Sequence, residues 1–364
     1  MSNLFGLPSW EQFEEQLIIL REMAGKMGVV GTIGSWKDVQ SIVRKGQGNK
    51  YFAPGDALVG LYDGNPTIWD VIGVNHDTPT AENLTYSLTI QSRDCLQNVM
   101  FDAPEALYYA TTALSAGAHI FSLEGVKYKL TTTQPIPAGG QIYISTWSDP
   151  YIPTKATTYG ADRTTVIESG LDVTTATGTD TLTPVNHQQR CRYGSNNYME
   201  SAIKQWLNST SSSFAWTPKT NFDRPPTGSP YTGAGFLKLL DPELVEVIGA
   251  VNKQVARNTL TDGGGQDAFS DKVFLLSRTE VYGGTEGTTT GEEPYAFYSS
   301  MASSPTTDVL SGRIKLLNNS PRSWRLRSPY VGNAANARYV NLAGVVNSSN
   351  VVYAHGLSPA CCIL

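Results

Sequence analysis

From Gly28 onward, turn signals cut this chain into short pieces, and that punctuation limits its fold more than any other feature. Stretches such as Asp63-Gly64-Asn65-Pro66 recur between brief apolar or alternating runs, a texture that favours strands and loops over a helical bundle. Charged residues make up only 16% of the chain, against about a quarter in an average domain. Gly, Tyr, Thr, Ser and Asn fill the gap, giving an uncharged polar surface but not the profile of a disordered tail. With 364 residues there is room for two domains, or for one carrying a large insertion.

The net charge of −5 comes with no Lys/Arg cluster. A nucleic-acid partner needs a basic stripe to neutralise phosphates, so nucleic acid is not expected as the ligand. No run reaches the length of a membrane span, and the opening MSNLFGLPSWEQFEEQ has no basic region followed by an apolar one. The expectation is synthesis in the cytoplasm without a signal peptide, and no membrane insertion. Cys95, Cys191, Cys361 and Cys362 match no zinc spacing, and the adjacent pair is poorly placed for an ordinary bridge. Buried thiols are expected, with a link from Cys95 or Cys191 to the terminal pair left open.

Residues 1–35 read as a helix. Ser9 can cap it, with Gln12 three residues later, and Trp10, Phe13, Leu17, Leu20, Ala24 and Met27 follow at 3-4 spacing. This is either one amphipathic helix packed on its own domain or, as Ile18 and Ile19 favour, a short oligomerising stalk. A homotrimer is the favoured assembly, and so short a seam needs support from the domains behind it. Strand-like runs follow at Lys50–Val59, Pro66–Val74 and Ser87–Ser92. Residues 105–184, rich in Thr, Gly and Pro, read as a β-sandwich-like insertion. Tyr198–Asn208 has helical spacing, and Asp241-Pro242-Glu243 opens a second helix expected to run through LVEVIGAVNKQV. DGGGQDAFSD, an apolar strand at Lys272–Ser277, a polar loop from Gly283 to Thr307 and two or three short strands in Trp324–Leu364 complete the reading.

The final segment stands apart. From Tyr339 to Leu364 there is no Asp, Glu, Lys or Arg, and His355 is the one ionisable side chain outside the thiols and tyrosines. Asn333, Asn336, Asn341, Asn347 and Asn350 interleave with Ala334, Val340, Val345, Val351 and Ala354. Alternation of that kind puts one set inside and the other on a face. A face of Asn, Ser, Tyr and His offers the adaptable hydrogen bonding and aromatic area of a paratope. An ordinary Asn-rich loop has the same composition.

Three motifs here, Trp324–Pro329 (WRLRSP), Ala337–Val340 (ARYV) and Gly356–Cys361 (GLSPAC), resemble the end of a phage and prophage family. These are the variable proteins of diversity-generating retroelements, built on a C-type lectin fold. Upstream, Ser201–Asn208, Thr220–Pro226, Thr261–Gly265, Phe274–Arg278, Tyr51–Asp56 and Ile68–Gly73 resemble the same set in order. The resemblance implies an α+β, C-type-lectin-like (formylglycine-generating-enzyme-like) domain over 36–104 and 185–364, interrupted by the 105–184 insertion. It implies a scaffold of Trp324, Leu326, Arg327, Ser328, Pro329, Arg338, Val340, Gly344, Gly356 and Pro359–Cys361. It also implies diversified ligand-binding positions drawn from Ser323, Arg325, Tyr330, Asn333, Asn336, Asn341, Asn347, Ser348, Asn350, Tyr353 and His355. In such families error-prone reverse transcription changes adenines, and Asn codons are adenine-rich. Arg325 departs from the family pattern, which has an aromatic residue there, a departure tolerable at a position that itself varies.

The expected function is a homo-oligomeric receptor- or ligand-binding protein of a virion, facing a host-surface or environmental protein or glycan beside other virion proteins. A structural or decoration protein without a dedicated ligand is the alternative. Catalysis is not expected: His76, His119, His187 and His355 are scattered, and Cys361-Cys362 has no neighbouring His. The lectin-type architecture is shared with formylglycine-generating enzymes, but no separated cysteine pair stands out and fold alone does not carry function. Asp262, Asp267 and Asp271 flank Gly263–Gly265 without the spacing of an EF-hand, and read as solvated turn carboxylates. No phosphate loop or dinucleotide fingerprint occurs, so neither cofactor nor metal is expected.

Overall fold

Asp63 and Gly64 both adopt positive φ, 48° and 72°, which lets the chain reverse tightly between the strands Ala57–Tyr62 and Asn65–Val74. This hairpin starts the central sheet. The computed structural model describes residues 34–184, 186–287, 290–299 and 311–364. Apart from Gly34 and Ser35, the helix expected over 1–35 and its oligomerisation lie outside the described residues.

Leu88–Ser92 pairs with Asn65–Val74, and the last strand, Ala360–Ile363, pairs with Leu88–Ser92. Ile248–Gly249 and Val273–Phe274 both add to Ala360–Ile363, giving six antiparallel strands in which the end of the chain is central. Residues alternate between its two faces. Trp69, Val71, Leu88, Ile90, Cys361 and Ile363 enter one core, which helices Trp36–Arg44, Ala202–Leu207 and Pro242–Val247 cover. Ile72, Ala360 and Cys362 enter the other core, with Trp324, Leu326, Val340, Tyr295 and Tyr298. Cys361 and Cys362 therefore sit in different cores, and all four cysteines are free and buried.

A second sheet closes that other core. Its order is Val346–Asn350, Asn336–Val340, Trp324–Pro329, His355–Gly356, Asn98–Val99, with the Trp324/Gly356 pairing parallel and the rest antiparallel. Residues 105–184 build two further sheets. Tyr108–Tyr109, Gln141–Ser148, Ile152–Tyr159 and Val166–Asp172 make one, and Gly117–Leu123, Val126–Thr132 and Thr174–Thr175 the other. They enclose a core of their own around Phe121, Leu130, Ile142, Ile144 and Ala156. The architecture is α+β and mostly β-sheet.

Several elements differ from expectation. The helix opened by Asp241 stops at Val247, and the chain turns into strands Ile248–Gly249 and Val251–Ala256. Val251, Lys253 and Val255 point inward on alternate positions, a strand period that overrides helix propensity. A Cβ on Gly249 would lie 2.3 Å from the Leu364 side chain, which would have to shift to admit it. The last six residues of DGGGQDAFSD are strand Gln266–Asp271, paired with Val251–Ala256. Only Val273–Phe274 of the expected 272–277 strand pairs, and the Gly283–Thr307 loop contains the helical turn Ala296–Ser299, which buries Tyr298.

Candidate functional site

Strands Asn336–Val340 and Val346–Asn350 form a hairpin at the edge of the second sheet. Asn341 closes it by accepting backbone N–H bonds from Ala343 and Val345 at 2.9 Å each. Opposed pairs share a face. Val340/Val346, Arg338/Ser348 and Asn336/Asn350 lie on one, and Tyr339/Asn347 and Ala337/Ser349 on the other. At the Val340 end the first face packs beside Trp324 in the core. Arg338 reaches Glu286 at 2.7 and 2.9 Å and covers the Tyr330 ring at 4.6 Å. On the second face Tyr339 stacks on His355 at 4.5 Å.

The eleven sequence-derived positions therefore do not form one flat face. Tyr330 (41% exposed) and Tyr353 (53%) are open to solvent, as is Asn347, while Ser323, Asn333, Asn336, Asn341, Ser348, Asn350 and His355 are half-buried. Asn333 is occupied within its own turn, accepting from the N–H groups of Ala335 and Asn336 at 2.7 and 2.8 Å. Burial, helped by the nearby charges of Arg325 and Arg322, pushes His355 down to about 3, so it is neutral near pH 7. Of the interleaved apolar set, Ala334, Val340 and Val351 are inside, but Val345 and Ala354 are exposed.

Arg325 is the correction. Expected among the displayed side chains, it is wholly buried. Its Nη1 donates to the carbonyls of Ala337 and Ser349 at 3.2 Å each, and its Nη2 to those of Asn350 and Tyr353 at 3.1 and 2.8 Å. Burial pushes the guanidinium down to about 9, still a cation at neutral pH. Every acceptor is main chain, so this cation grips the hairpin and the 350–353 turn without reading their side chains.

Asn196 does the same for the preceding loop. Its amide donates to the carbonyls of Asn333 and Asn336 at 2.6 and 2.9 Å, and at 3.3 Å to that of Tyr330. Asn258 orients Asn196 by donating to its Oδ1 at 2.8 Å and also donates to Asp262 at 2.9 Å. Thr259 donates both its N–H and its hydroxyl to the Val331 carbonyl. Beneath them Arg190 joins Glu105, Glu200 and Asp262 at 2.8–2.9 Å. One cation facing three carboxyls leaves excess negative charge, and burial raises Glu105 to about 7 although Arg190 opposes it. Arg190 itself stays charged, its own burial outweighed by these carboxyls. Asp271 pairs with Lys204 at 2.9 Å and Asp267 lies 3.8 Å from Arg257, so the three aspartates face three different cations.

The scaffold residues have buried partners that sequence could not name. Arg327 donates to Glu280 at 2.6 and 2.9 Å, to Glu292, and to the Leu275 and Gln254 carbonyls. Trp324 donates to the Arg313 carbonyl at 2.9 Å, and a Cβ on Gly356 would meet Cys95 Sγ at 2.4 Å. Also beyond sequence reasoning is an aromatic cluster that extends the exposed surface. Tyr353 meets Tyr193 edge-on at 6.3 Å, Tyr193 meets Tyr151 at 5.9 Å, and the Arg192 guanidinium lies 5.1 Å from both Tyr151 and Tyr193. These residues come from the insertion, the helix Gln188–Tyr193 and the C-terminal segment, so no local pattern joins them.

The groups gathered on this surface are hydroxyls, amides and aromatic rings, with Arg192 at the flank. His76 packs on Tyr295, His119 contacts Thr132, and His187 caps the helix Gln188–Tyr193. No group of three metal-binding side chains converges among the described residues. A separate cleft of about 940 Å3, lined by Tyr62, Ile68, Arg93, Gln97 and Pro230 among others, includes none of the eleven positions.

No curated protein and no solved structure matches this chain. Residues 173–364, which hold the hairpin, both backbone clamps and the central last strand, match the family model described as a domain of unknown function, DUF6273, and the chain belongs to that family.

Proposed function

We propose that this is a non-enzymatic binding protein whose C-terminal segment presents exchangeable side chains on a C-type-lectin-like frame. In this reading it works as the variable proteins of phage and prophage diversity-generating retroelements do. One observation carries it: the segment is held by its main chain. Arg325 and Asn196 together donate seven hydrogen bonds, four and three, all to carbonyl oxygens of residues 330–353. Carbonyls are common to all residue types, so the side chains of Tyr330, Asn336, Asn347, Ser348, Asn350 and Tyr353 can change while the backbone stays in place. Asn333 and Asn341, folded into their own turns, belong with the frame. Tyr151, Tyr193 and Arg192 supply a constant flank of the residue types that dominate binding hot spots. The ligand is a protein or glycan of a host surface or the environment, and the setting is a homo-oligomer on a virion.

A library randomised at those six positions tests this. The expected result is that most members stay folded and that selection on an immobilised protein or glycan enriches distinct sets. If most members unfold, the frame does not isolate its side chains and the reading is wrong. Deep sequencing of the gene's 3′ end should show changes at adenines in codons 323–355 that spare Trp324, Arg325 and Arg338. Flat variation there favours a fixed decoration role.

A further inference from the structure

Lys253 projects from strand Val251–Ala256 into the core between the two sheets, where its side chain is 4% exposed and that of Asp77 3%. Its Nζ contacts Asp77 Oδ1, and lies 2.7 Å from both Glu280 Oε1 and the Tyr295 hydroxyl. The Phe274 and Tyr295 rings flank it at 4.4 and 5.1 Å. Asp77 Oδ2 accepts from Thr89 Oγ1 at 2.5 Å, Tyr295 OH at 2.8 Å and Cys362 Sγ at 3.3 Å. Glu280 is itself gripped by Arg327 at 2.6 and 2.9 Å. An amine thus sits against a carboxyl whose other oxygen faces three donors, with a second carboxylate beside the nitrogen and apolar rings around it.

We propose that Lys253 and Asp77 condense in the folded chain to an intramolecular amide, Nζ to Cγ, with loss of one water. Glu280 accepts a proton from Nζ, and the neutral amine adds to Cγ of Asp77. Negative charge developing on Oδ2 is met by Thr89 and Tyr295, donors already aimed at it. Oδ1 takes one proton back from Glu280 and one from the nitrogen, and departs as water. The ammonium brings three protons; one stays on the amide nitrogen and two leave with the oxygen, so no oxidant, reductant or cofactor is needed.

The starting pair is charged. Burial alone would push Asp77 up and Lys253 down, but each is overruled by the opposite charge, leaving Asp77 below and Lys253 above its ordinary value. That charged state is costly in a dry core, and condensation replaces two buried charges with one neutral amide. Holding the groups in contact supplies the effective concentration that free amines and carboxylates lack in water. The bond would close the chain from 77 to 253, tying the loop after strand Asn65–Val74 to strand Val251–Ala256 and enclosing the whole 105–184 insertion. A ligand-displaying protein that works outside a cell gains from such a brace.

Mass spectrometry of the purified full-length protein in denaturant decides the matter. The expected mass is lower than the sequence mass by one water, and a digest contains a branched peptide joining the Asp77 and Lys253 fragments. Lys253→Arg, which keeps the charge but cannot form this bond, should have its full sequence mass. A wild-type protein at full mass overturns the proposal and leaves a buried ion pair. So does a water loss that persists in Lys253→Arg, or one without the branched peptide.

Discussion

Replacing Arg325 with Ala tests the backbone clamp most directly. The substitution deletes four charge-assisted hydrogen bonds, to the carbonyls of Ala337, Ser349, Asn350 and Tyr353. At about 1.5 kcal/mol each, the low end for charged donors, they sum to roughly 6 kcal/mol. Removing a buried cation that has no carboxylate partner returns a part of that, which we take as about half, so the net loss is about 3 kcal/mol. For a chain of this size that lowers Tm by on the order of 6 °C. The loss should be local before it is global. Amide exchange of Val351 and Tyr353, whose N–H groups bond to Ala335 and Asn350, should quicken by on the order of a hundredfold, while strand Leu88–Ser92 keeps its protection. Arg325→Lys should recover little, because one compact ammonium with three donors cannot span four carbonyls. An alanine variant with unchanged Tm and unchanged exchange in 347–353 would refute the clamp and the functional reading built on it.

Single alanines at Tyr330, Asn347 and Tyr353 should each cost within about 0.5 kcal/mol by thermal denaturation, whereas Asn196→Ala should cost about 2–3 kcal/mol because it strands buried carbonyls. Glu105, raised by burial from 4.5 to about 7, binds its proton more tightly folded than unfolded. Its contribution is complete below pH 4.5 and is lost as pH rises through about 7, so stability falls across that window. Glu105→Gln should flatten the profile measured by urea titration. Gly194→Ala, at φ 79° with its new Cβ 2.4 Å from the Ala103 carbonyl, should cost at least about 2 kcal/mol of stability. A thiol reagent should label none of the four buried cysteines in the native protein and all four in denaturant.

Strand periodicity is legible where strands are apolar and local: Asn65–Val74 and Leu88–Ser92 follow from the runs at 66–74 and 87–92. The run expected as a strand from Lys50 instead opens in the helical turn Gly48–Tyr51 and pairs only as Ala57–Tyr62, and Trp324–Leu364 holds five strands rather than two or three. Spacing over-extends the helix from Pro242 because Val245, Val247, Ile248 and Val251 satisfy helical spacing as readily as strand alternation. What decided between them was distant: Ile363 and Cys362 pair with Ile248 and Gly249. The two clamps were illegible for a different reason. Asn196 and Arg325 act on carbonyl oxygens, and a carbonyl has no letter in a sequence. Partners such as Glu286 for Arg338 lie 52 positions away in a loop without periodicity. The Ser277/Glu280 capping box was readable from spacing, but not that Glu280 also faces Lys253 and Arg327.

Arg325 shows why a departure from a pattern carries more information than agreement. On the sequence its position reads as free to vary, since it lacks the aromatic residue that the resemblance implies there. In the fold it pairs across from Tyr339, and its side chain passes beneath the hairpin to the 350–353 turn. Two ways exist to stabilise an edge hairpin that must carry arbitrary side chains. One packs it through those side chains, which then cannot change; the other holds it through its backbone, at the expense of burying a donor with no carboxylate nearby. Arg325, pushed down by burial yet still charged, is the second solution. Under the proposed function it makes a specific demand on variation: position 325 must stay fixed while 347, 348, 350 and 353 change around it. Natural sequences in which 325 varies freely beside a conserved 347–353 would reverse the assignment of frame and display.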